Sequence, residues 1–261
     1  MNGARLSGTC EAGCNAPEVW QARCDLAALY RLMAHFRMTD LIDTHISARV
    51  PGQPDRFLIN RYGVLFHEMR ATDLIEIDGE GRVLRPSGEA ARDRVNVAGF
   101  VIHSAIHAAR PDLHWVIHTH TTASGAVSAQ SEGLLPISQH ALKFYRRLAY
   151  HDYEGIALET QERARLVRDL GPHKAMLLRN HGALAAGETV AEAFYTIYFL
   201  ERACALQIAA LSGGAPLRRP SEAVCEKTAR QFESAGERDA MALGWRSALR
   251  LLDDQRRDYT S

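Results

Sequence analysis

Residues 102–121 of the chain read IHSAIHAARPDLHWVIHTHT, and the pattern of apolar residues changes in the middle of this stretch. Its first half belongs to a helix predicted over about residues 96–109. This helix ends before Arg110-Pro111, because proline disfavours helical geometry in the preceding residue. Its second half, LHWVIHTH, is a short apolar run typical of a buried strand. A helix followed at once by a strand indicates a fold in which helices pack on a β-sheet.

The segments on either side of this stretch extend the same mixed pattern. A helix is predicted after Pro17, and the short runs THISARVP, DRFLIN, GVLFHEM and LIEID predict a meander of antiparallel strands. Further along, AMLLRNHGALAAG predicts two strands around a turn at Gly182. Helices are also predicted over about 160–170, 189–211, 223–233 and from there to Leu252. Such a mixture favours one domain of helices and a mainly antiparallel sheet over an alternating doubly wound fold.

The composition excludes some classes of partner and directs attention to histidine. The 31 Lys and Arg residues balance 31 Asp and Glu residues, and a neutral chain lacks the basic field that attracts nucleic acids or anionic membranes. Histidine, with 12 residues, outnumbers each of Phe, Met and Trp. Imidazole binds metals and exchanges protons near neutral pH, so the histidines are the first candidates for functional residues.

Three parts are expected along the chain. Residues 1–17 form a flexible tail, residues 18–215 the main domain, and residues 216–261 a helical extension that packs on this domain or on a neighbouring subunit. The N-terminal stretch lacks the apolar core of a secretory signal, and no apolar run reaches the roughly 18–20 residues of a membrane span. The five scattered Cys residues do not suggest a disulfide framework, so a cytoplasmic location is expected.

Three histidines at strand ends form the strongest candidate for a metal site. His118 and His120 lie two residues apart in a predicted strand, so their side chains project from the same face. His181 follows the apolar run MLLRN and precedes Gly182, where the chain turns. Three neutral imidazoles bind a divalent metal and leave coordination positions open for water and substrate. The alternative for each residue is a structural or surface histidine.

A second pair, His103 and His107, lies about one helical turn apart on one face of the predicted helix. This i, i+4 spacing can also hold a metal. The helix is otherwise apolar, however, and no glutamate accompanies the pair. These two residues are therefore interpreted as packing residues or as partners of the metal ligands.

Three stretches together resemble the class II aldolase/adducin family: IHSAIHAARPDLHWVIHTHT, GLLPISQHALKFY and LRNHGALAAGETVAEAFYTIYFLE. The resemblance covers about residues 20–211. It implies an α/β protein, a three-layer α/β/α sandwich with a mainly antiparallel central sheet, often assembled as a homotetramer. It also implies one divalent metal ion held by His118, His120 and His181. Zinc is expected first, with Fe(II) or manganese as alternatives.

The chain departs from the family pattern where the acid/base group is expected. Family aldolases carry a carboxylate about four residues before the helix histidine, and counting back from His103 leads to Gly99. Glu89, in the PSGE loop, is the nearest carboxylate. His140 and Tyr145 lie between the metal strand and the His-Gly turn. These last three residues are the candidates for the catalytic proton donor.

The loops that contact phosphate in family aldolases also differ in this chain. Thr44-His45 replaces a Gly-Asn turn, and the loop Asn60-Arg61-Tyr62-Gly63 lacks the usual Thr-Pro-Ser/Thr-Gly sequence. Glycine permits a close approach of the backbone to phosphate, which threonine does not offer freely. His45, Asn60 and Ser87 are the candidate substrate-binding residues, and the altered loops resemble the adducin-like branch of the family.

These features favour a metal-dependent lyase-like enzyme rather than a standard sugar-phosphate aldolase. It would act by retro-aldol cleavage or decarboxylation on a small carbonyl or carboxylate substrate. The same three-histidine site would also suit a non-haem Fe(II) oxygenase or oxidative decarboxylase. A non-catalytic adducin-like domain is the third hypothesis, because of Gly99. The expected partners are the small substrate and further copies of the chain, but neither nucleic acid nor membrane.

Overall fold

An eight-stranded sheet runs through the protein, whose computed structural model describes residues 16–85, 93–155 and 161–261. Its strands are β1 (His45–Val50), β2 (Gln53–Asn60), β3 (Leu74–Asp78), β4 (Val83–Arg85), β5 (Trp115–Thr119), β6 (Leu148–His151), β7 (Ala175–Leu178) and β8 (Gly182–Gly187). Within these ranges the strand order is β4-β3-β2-β1-β5-β8-β7-β6. Neighbouring strands are antiparallel, except that β6 and β7 are parallel.

Helices cover both faces of this sheet. In the described ranges they are α1 (Pro17–His35), α2 (Val97–Ala109), α3 (Thr122–Ser128), α4 (Gln139–Leu142), α5 (Glu162–Leu170), α6 (Val190–Ser212), α7 (Glu222–Gln231), α8 (Ala235–Leu249) and α9 (Arg256–Tyr259). None of these helices combines the length and the apolar character that a membrane span requires. The predicted three-layer α/β/α sandwich with a mainly antiparallel central sheet is confirmed.

The alternation of side chains along the strands divides the core into two layers. In β5, Ile117 packs in the cluster that contains residues of α1 and α6, whereas Val116 packs in the cluster formed with α2 and α5. In β7, Leu177 and Met176 divide in the same way. Successive residues of a strand point to opposite faces of a sheet, so a hydrophobic run with no polar interruption is what a strand covered on both faces needs.

The register between β1 and β5 places two histidines side by side. His45 is paired with His118, and Ser47 is paired with Val116. Because Val116 faces α2 and α5, the side chains of His45, Ser47 and His118 lie on that same face. These polar side chains therefore lie between the sheet and α2, in contact with the histidines of that helix.

The prediction of a strand in GVLFHEM is wrong. Phe66–Glu68 forms a short 3-10 helix, in which the Leu65 amide donates a hydrogen bond to Glu68 Oε2 at 3.2 Å. The ring of Phe66 packs edge-on against Tyr30 of α1, with centroids 4.6 Å apart. The apolar side chain of Phe66 is thus buried against α1 rather than in a strand of the sheet. Tertiary packing decides the conformation of this segment and overrides its local pattern.

The strand β6 is absent from the predicted elements. It has only four residues, too few to show a clear period, and Ala149 pairs with Met176 of β7. The pairing partner, rather than the local sequence, makes this segment a strand.

The C-terminal helices pack on the same chain. Trp245 of α8 lies against Phe194 of α6, with ring centroids 5.7 Å apart, and both side chains are buried. At the chain end, the carbonyl of Ser261 accepts hydrogen bonds from the backbone and the side chain of Thr72. The segment predicted as an extension over residues 216–261 is thus in contact with the rest of the fold.

Candidate metal centre

Three imidazoles converge where the central strand β5 ends and its neighbour β8 begins. The Nε2 atoms of His118 and His120 are 2.8 Å apart, and those of His120 and His181 are also 2.8 Å apart. One ring nitrogen from each residue lies within 4.8 Å of the other two. Within the described ranges, no other group of three or more His, Cys, Asp or Glu side chains has this arrangement. The three histidines predicted from spacing are therefore brought together.

Strand geometry explains why these three residues meet. His118 lies in β5, His120 follows the end of that strand, and His181 lies in the turn between β7 and β8. Asn180 has a positive φ of 56°, which turns the chain toward β8. A Cβ atom on Gly182 would lie only 2.3 Å from the Thr119 carbonyl oxygen, so only glycine permits this close approach of β8 to β5.

Hydrogen bonds orient two of the rings. His118 donates from Nδ1 to the Ala183 carbonyl at 3.0 Å, and His120 donates from Nδ1 to Asp40 Oδ2 at 3.1 Å. In a neutral imidazole with a proton on Nδ1, Nε2 carries only a lone pair. The two facing Nε2 atoms can therefore not form a hydrogen bond with each other. Two lone pairs held 2.8 Å apart fit a shared cation, and histidine ligands of metals characteristically have such partners behind them.

Burial favours the neutral form of two of these imidazoles, those of His118 and His181. Desolvation, with a smaller contribution from the neighbouring histidines, holds the pKa of His118 well below its usual value. The same two causes lower the pKa of His181 to about 4. Neutral imidazole is the form that binds a metal, so these two side chains can accept one at neutral pH without first losing protons.

A buried glutamate supports the segment that follows His120. Glu201 of α6 accepts hydrogen bonds through Oε2 from the Thr121 hydroxyl at 2.5 Å and from the Ser124 amide at 3.1 Å. Burial raises the pKa of this carboxyl group. Sequence reasoning missed both Glu201 and Asp40. The available signal for Glu201 was an acidic residue inside the apolar segment TIYFLERACAL, where a buried polar partner is required.

Comparison with known proteins identifies the family. The family model described as "Class II Aldolase and Adducin N-terminal domain" matches residues 24–208 of the sequence. The chain belongs to this family. An aldolase II superfamily protein from Pseudomonas syringae is 48% identical, with a TM-score of 0.89 over 94% of this chain and 97% of that chain. The predicted family and its sandwich fold are thereby confirmed.

Two further proteins that are similar to this chain differ in what their names describe. The L-fuculose 1-phosphate aldolase from Glaciozyma antarctica PI12 is 26% identical, with a TM-score of 0.82 over 93% of this chain and 92% of that chain. Rat alpha-adducin is 45% identical over 197 residues, which are 74% of this chain and 26% of the adducin. The chain is thus similar both to a protein named as an aldolase and to a longer protein whose name describes no reaction.

The space beside Gly99 is filled by the side chain of another residue. A Cβ atom on Gly99 would lie 2.7 Å from Cδ2 of His45, closer than real contacts allow. His45, predicted as a substrate-binding residue, is buried, and its ring centroid is 5.0 Å from that of His118. A side chain at position 99 of α2 and the imidazole of His45 in β1 therefore exclude each other sterically.

The histidines of α2 take no part in the three-histidine cluster. His103 Nδ1 is 2.5 Å from Ser47 Oγ, and His107 Nε2 is 2.8 Å from the same oxygen. Their interpretation as partners near the site, rather than as a rival metal pair, agrees with this geometry. Asn60, another candidate for substrate binding, is buried, and its Oδ1 lies 2.8 Å from the Tyr30 hydroxyl.

The predicted catalytic residues lie in other surroundings. His140 packs against Phe199 of α6 with ring centroids 4.9 Å apart, and the guanidinium of Arg146 lies over the ring of Tyr145. In the part of the chain that the structure describes, no hydrogen bond or ring contact joins either residue to the three-histidine cluster, and their roles stay predictions. Glu89 and Ser87 lie outside the described residues.

Proposed function

We propose that this protein is a metal-dependent lyase that cleaves a carbon–carbon bond in a small carbonyl or carboxylate substrate, by retro-aldol reaction or decarboxylation. The observation that carries the proposal is the convergence of Nε2 atoms from His118, His120 and His181. When bound, a divalent metal polarises a carbonyl oxygen and so stabilises the negative charge that develops as the bond breaks. The similarity to the L-fuculose 1-phosphate aldolase of Glaciozyma antarctica supports the same class of reaction.

The residues of the chain have separate tasks in this proposal. His118, His120 and His181 hold the ion and leave positions open for substrate. The Ala183 carbonyl holds the ring of His118, and Asp40 holds that of His120, in the tautomer that binds a metal through Nε2. Three imidazole ligands on rigid strand ends suit zinc best, with manganese and Fe(II) as the alternatives.

Metal analysis is the first test of the proposal. After preparation without chelators, the purified protein should contain about one zinc ion per chain, measured by inductively coupled plasma mass spectrometry. His118→Ala should lose the ion, whereas His114→Ala, an exposed histidine on the same segment, should retain it. Equal metal content in all three proteins would contradict a site at this cluster.

The reaction itself requires a separate screen. The zinc-loaded protein should release an aldehyde or carbon dioxide from small hydroxy-carbonyl or keto-acid compounds, and His118→Ala should not. Oxygen consumption by the Fe(II)-loaded protein under the same conditions would favour the oxygenase hypothesis instead.

A non-catalytic role is the second candidate, favoured by one observation. The chain is 45% identical to rat alpha-adducin but only 26% identical to the L-fuculose 1-phosphate aldolase of Glaciozyma antarctica. If this candidate is correct, the metal-loaded protein should be inactive on every compound in the screen, and its metal should contribute to stability alone.

We also propose that the chain forms a homotetramer, as members of the family often form oligomers. Large apolar side chains remain exposed on α7 and α8, including Val224 and Leu243. Contacts between subunits would cover such side chains. Light scattering coupled to gel filtration should give about four times the mass of the chain, and a monomer would contradict the proposal.

A further inference from the structure

A cavity of about 480 Å³ lies between the C-terminal helices and the sheet. Its wall includes Ala175 at the start of β7 and Glu188 just after the end of β8. His181, in contrast, lies in the turn that joins the other ends of these two antiparallel strands. The cavity and the candidate metal centre are therefore at opposite ends of β7 and β8. A cavity of this volume is typical of sites for small organic ligands.

The buried part of the cavity wall is mainly apolar. Its buried members are one polar residue, Thr196, and four apolar residues, Phe144, Ala175, Ala191 and Met241. Phe232, the residue that follows α7, also lines the cavity. Burial of apolar surface against such a wall is favourable, so the wall suits a ligand with an apolar body.

A positively charged side chain in this wall has no hydrogen-bond acceptor. Lys143, which follows α4, has its Nζ 5.2 Å from the ring centroid of Phe232 and 5.6 Å from that of Tyr195. The faces of aromatic rings attract a cation, but an ammonium group also has three N–H donors to satisfy. Among the described residues, no hydrogen bond or ion pair joins this ammonium to the rest of the protein.

The other charged residues of the wall are either paired or exposed. Lys174 Nζ lies 2.6 Å from Glu192 Oε1, and Arg147 Nε lies 2.8 Å from Glu233 Oε1. Two further charged residues of the wall are exposed: Glu188 and Arg238. Water and salt screen such exposed charges. The charge of Lys143 is therefore the one that a ligand in the cavity neutralises most favourably.

Loss of hydration makes this charge costly in the empty cavity. Burial lowers the pKa of Lys143, and the carboxylates of Glu237 and Glu192 offset only part of this effect. An anion would supply the missing acceptor through a charge-assisted hydrogen bond, which is stronger than one between neutral groups. A doubly charged phosphate would meet the carboxylates of Glu188 and Glu192 in the same wall, so a single negative charge fits better.

We propose that this cavity is a second ligand site, which binds a small organic monocarboxylate with an apolar body. The carboxylate accepts a hydrogen bond from Lys143, and the apolar body packs against Phe144, Phe232 and Met241. Because the cavity wall joins α7 and α8 to the ends of β7 and β8, a bound ligand stabilises the packing of the C-terminal helices on the sheet. This proposal depends neither on the lyase reaction nor on a bound metal.

A matched pair of probes tests the requirement for a negative charge. 3-Phenylpropionate and 3-phenylpropionamide have the same apolar body and differ in the charge of one end group. The full chain should bind the carboxylate about tenfold more tightly than the amide, as measured by ligand-observed nuclear magnetic resonance. Inorganic phosphate should not displace it. Equal affinities for the two probes, or displacement by phosphate, would overturn the proposal.

His118→Ala distinguishes this cavity from the metal centre, since carboxylates also coordinate metal ions. The preference for 3-phenylpropionate should be the same in this variant as in the wild type. Its loss would assign the binding to the metal centre and overturn the proposal. Absence of metal from the wild-type protein, with the preference intact, would contradict the proposed function alone.

Lys143→Met tests the role of the ammonium group. Methionine keeps an unbranched apolar stem without the charge, so the tenfold preference should fall to about one. Lys227→Met is the control, because Lys227 is an exposed lysine of α7 outside the cavity wall, and this variant should behave like the wild type. Unfolding temperatures verify that both variants are folded. An unchanged preference in Lys143→Met would overturn the proposal.

Chemical labelling locates the ligand in the wild-type protein and requires no variant to fold. The sequence has three lysines, Lys143, Lys174 and Lys227, which peptide mass spectrometry distinguishes. Saturating 3-phenylpropionate should slow the acetylation of Lys143 by acetic anhydride severalfold and leave that of Lys227 unchanged. Equal rates of acetylation of Lys143 with and without the ligand would overturn the proposal.

Discussion

The imidazole of His45 occupies the space that any side chain on residue 99 would require. A Cβ atom on Gly99 would lie 2.7 Å from Cδ2 and 2.8 Å from Cγ of that ring. Both residues are buried, and the ring is held by its hydrogen bond to His103. The two positions are therefore sterically coupled, although they are 54 residues apart in the sequence.

Gly99→Ala should destabilise the protein because the new methyl group overlaps the ring of His45. An overpacked buried site costs about 1–3 kcal/mol, measured as the free energy of unfolding in urea. The double variant Gly99→Ala/His45→Ala should recover part of this loss, since the ring that causes the overlap is gone. Additive effects of the two substitutions would show that the residues do not compete for space.

A glycine elsewhere provides the control for this experiment. Gly236 lies near the start of α8, and a Cβ atom there would meet no atom within 4 Å. Gly236→Ala should be neutral or slightly stabilising, because alanine restricts the unfolded chain more than glycine does. A loss as large as that of Gly99→Ala would point to a general effect of the substitution.

Asp40→Ala should weaken zinc binding. It removes the acceptor of the His120 Nδ1 proton, so the ring loses the partner that holds its Nε2 toward the other two histidines. Loss of such a partner typically lowers metal affinity by 10–100-fold, here measured by competition with a chromogenic chelator. Asp43→Ala, in the same segment, should bind zinc like the wild type. Equal affinities for both variants would show that Asp40 does not orient the ligand.

Glu201→Ala should destabilise the segment that carries His120. The buried amide of Ser124 and the hydroxyl of Thr121 would lose their common acceptor, at a cost of about 1–3 kcal/mol. Thermal unfolding of the metal-free protein measures this change directly. The exposed carboxylate of Glu222 gives the control, since Glu222→Ala removes only a surface ion pair with Arg146. Similar unfolding temperatures for both variants would contradict a supporting role for Glu201.

The metal-free protein should lose stability in acid because of His107. Its pKa is about 3 in the folded protein, against about 6.5 in the unfolded chain. Below pH 6.5 the unfolded state binds a proton that the folded state does not, so the free energy of unfolding falls as the pH decreases from about 6.5 to 3, by up to about 1.4 kcal/mol per pH unit. In His107→Gln this slope should be smaller. Parallel pH profiles for the two proteins would exclude a buried neutral His107.

Much of the fold follows from local pattern. The helix that begins at Pro17, the strand–turn–strand around Gly182 and the long helix α6 were all predicted at nearly their observed positions. Their apolar residues repeat over many positions or adjoin strong turn signals, so the local sequence leaves few alternatives. The segment around Phe66 and the strand β6 were not predicted correctly, since each depends on a partner far along the chain.

Some residues of the candidate site were likewise predicted from local pattern, and others were not. Spacing alone indicated His118 and His120, because residues two apart on a strand share a face, and the turn at Gly182 indicated His181. No local pattern connects Asp40 to His120, or Glu201 to Thr121, since these pairs are about 80 residues apart. Such contacts exist only after the sheet and α6 have been assembled.

The sequence by itself determined the family, the class of fold and the three histidines that converge, because each is indicated by short motifs whose spacing can be read locally. Only the tertiary structure decided which side chain fills the space beside Gly99. The register of β1 against β5, and the packing of α2 over both strands, bring His45 beside Gly99 and connect it through Ser47 to the α2 histidines. These hydrogen bonds end at the backbone carbonyl of Leu113, which accepts from His107 Nδ1 at 3.2 Å. No pattern of residue types can reveal such a contact.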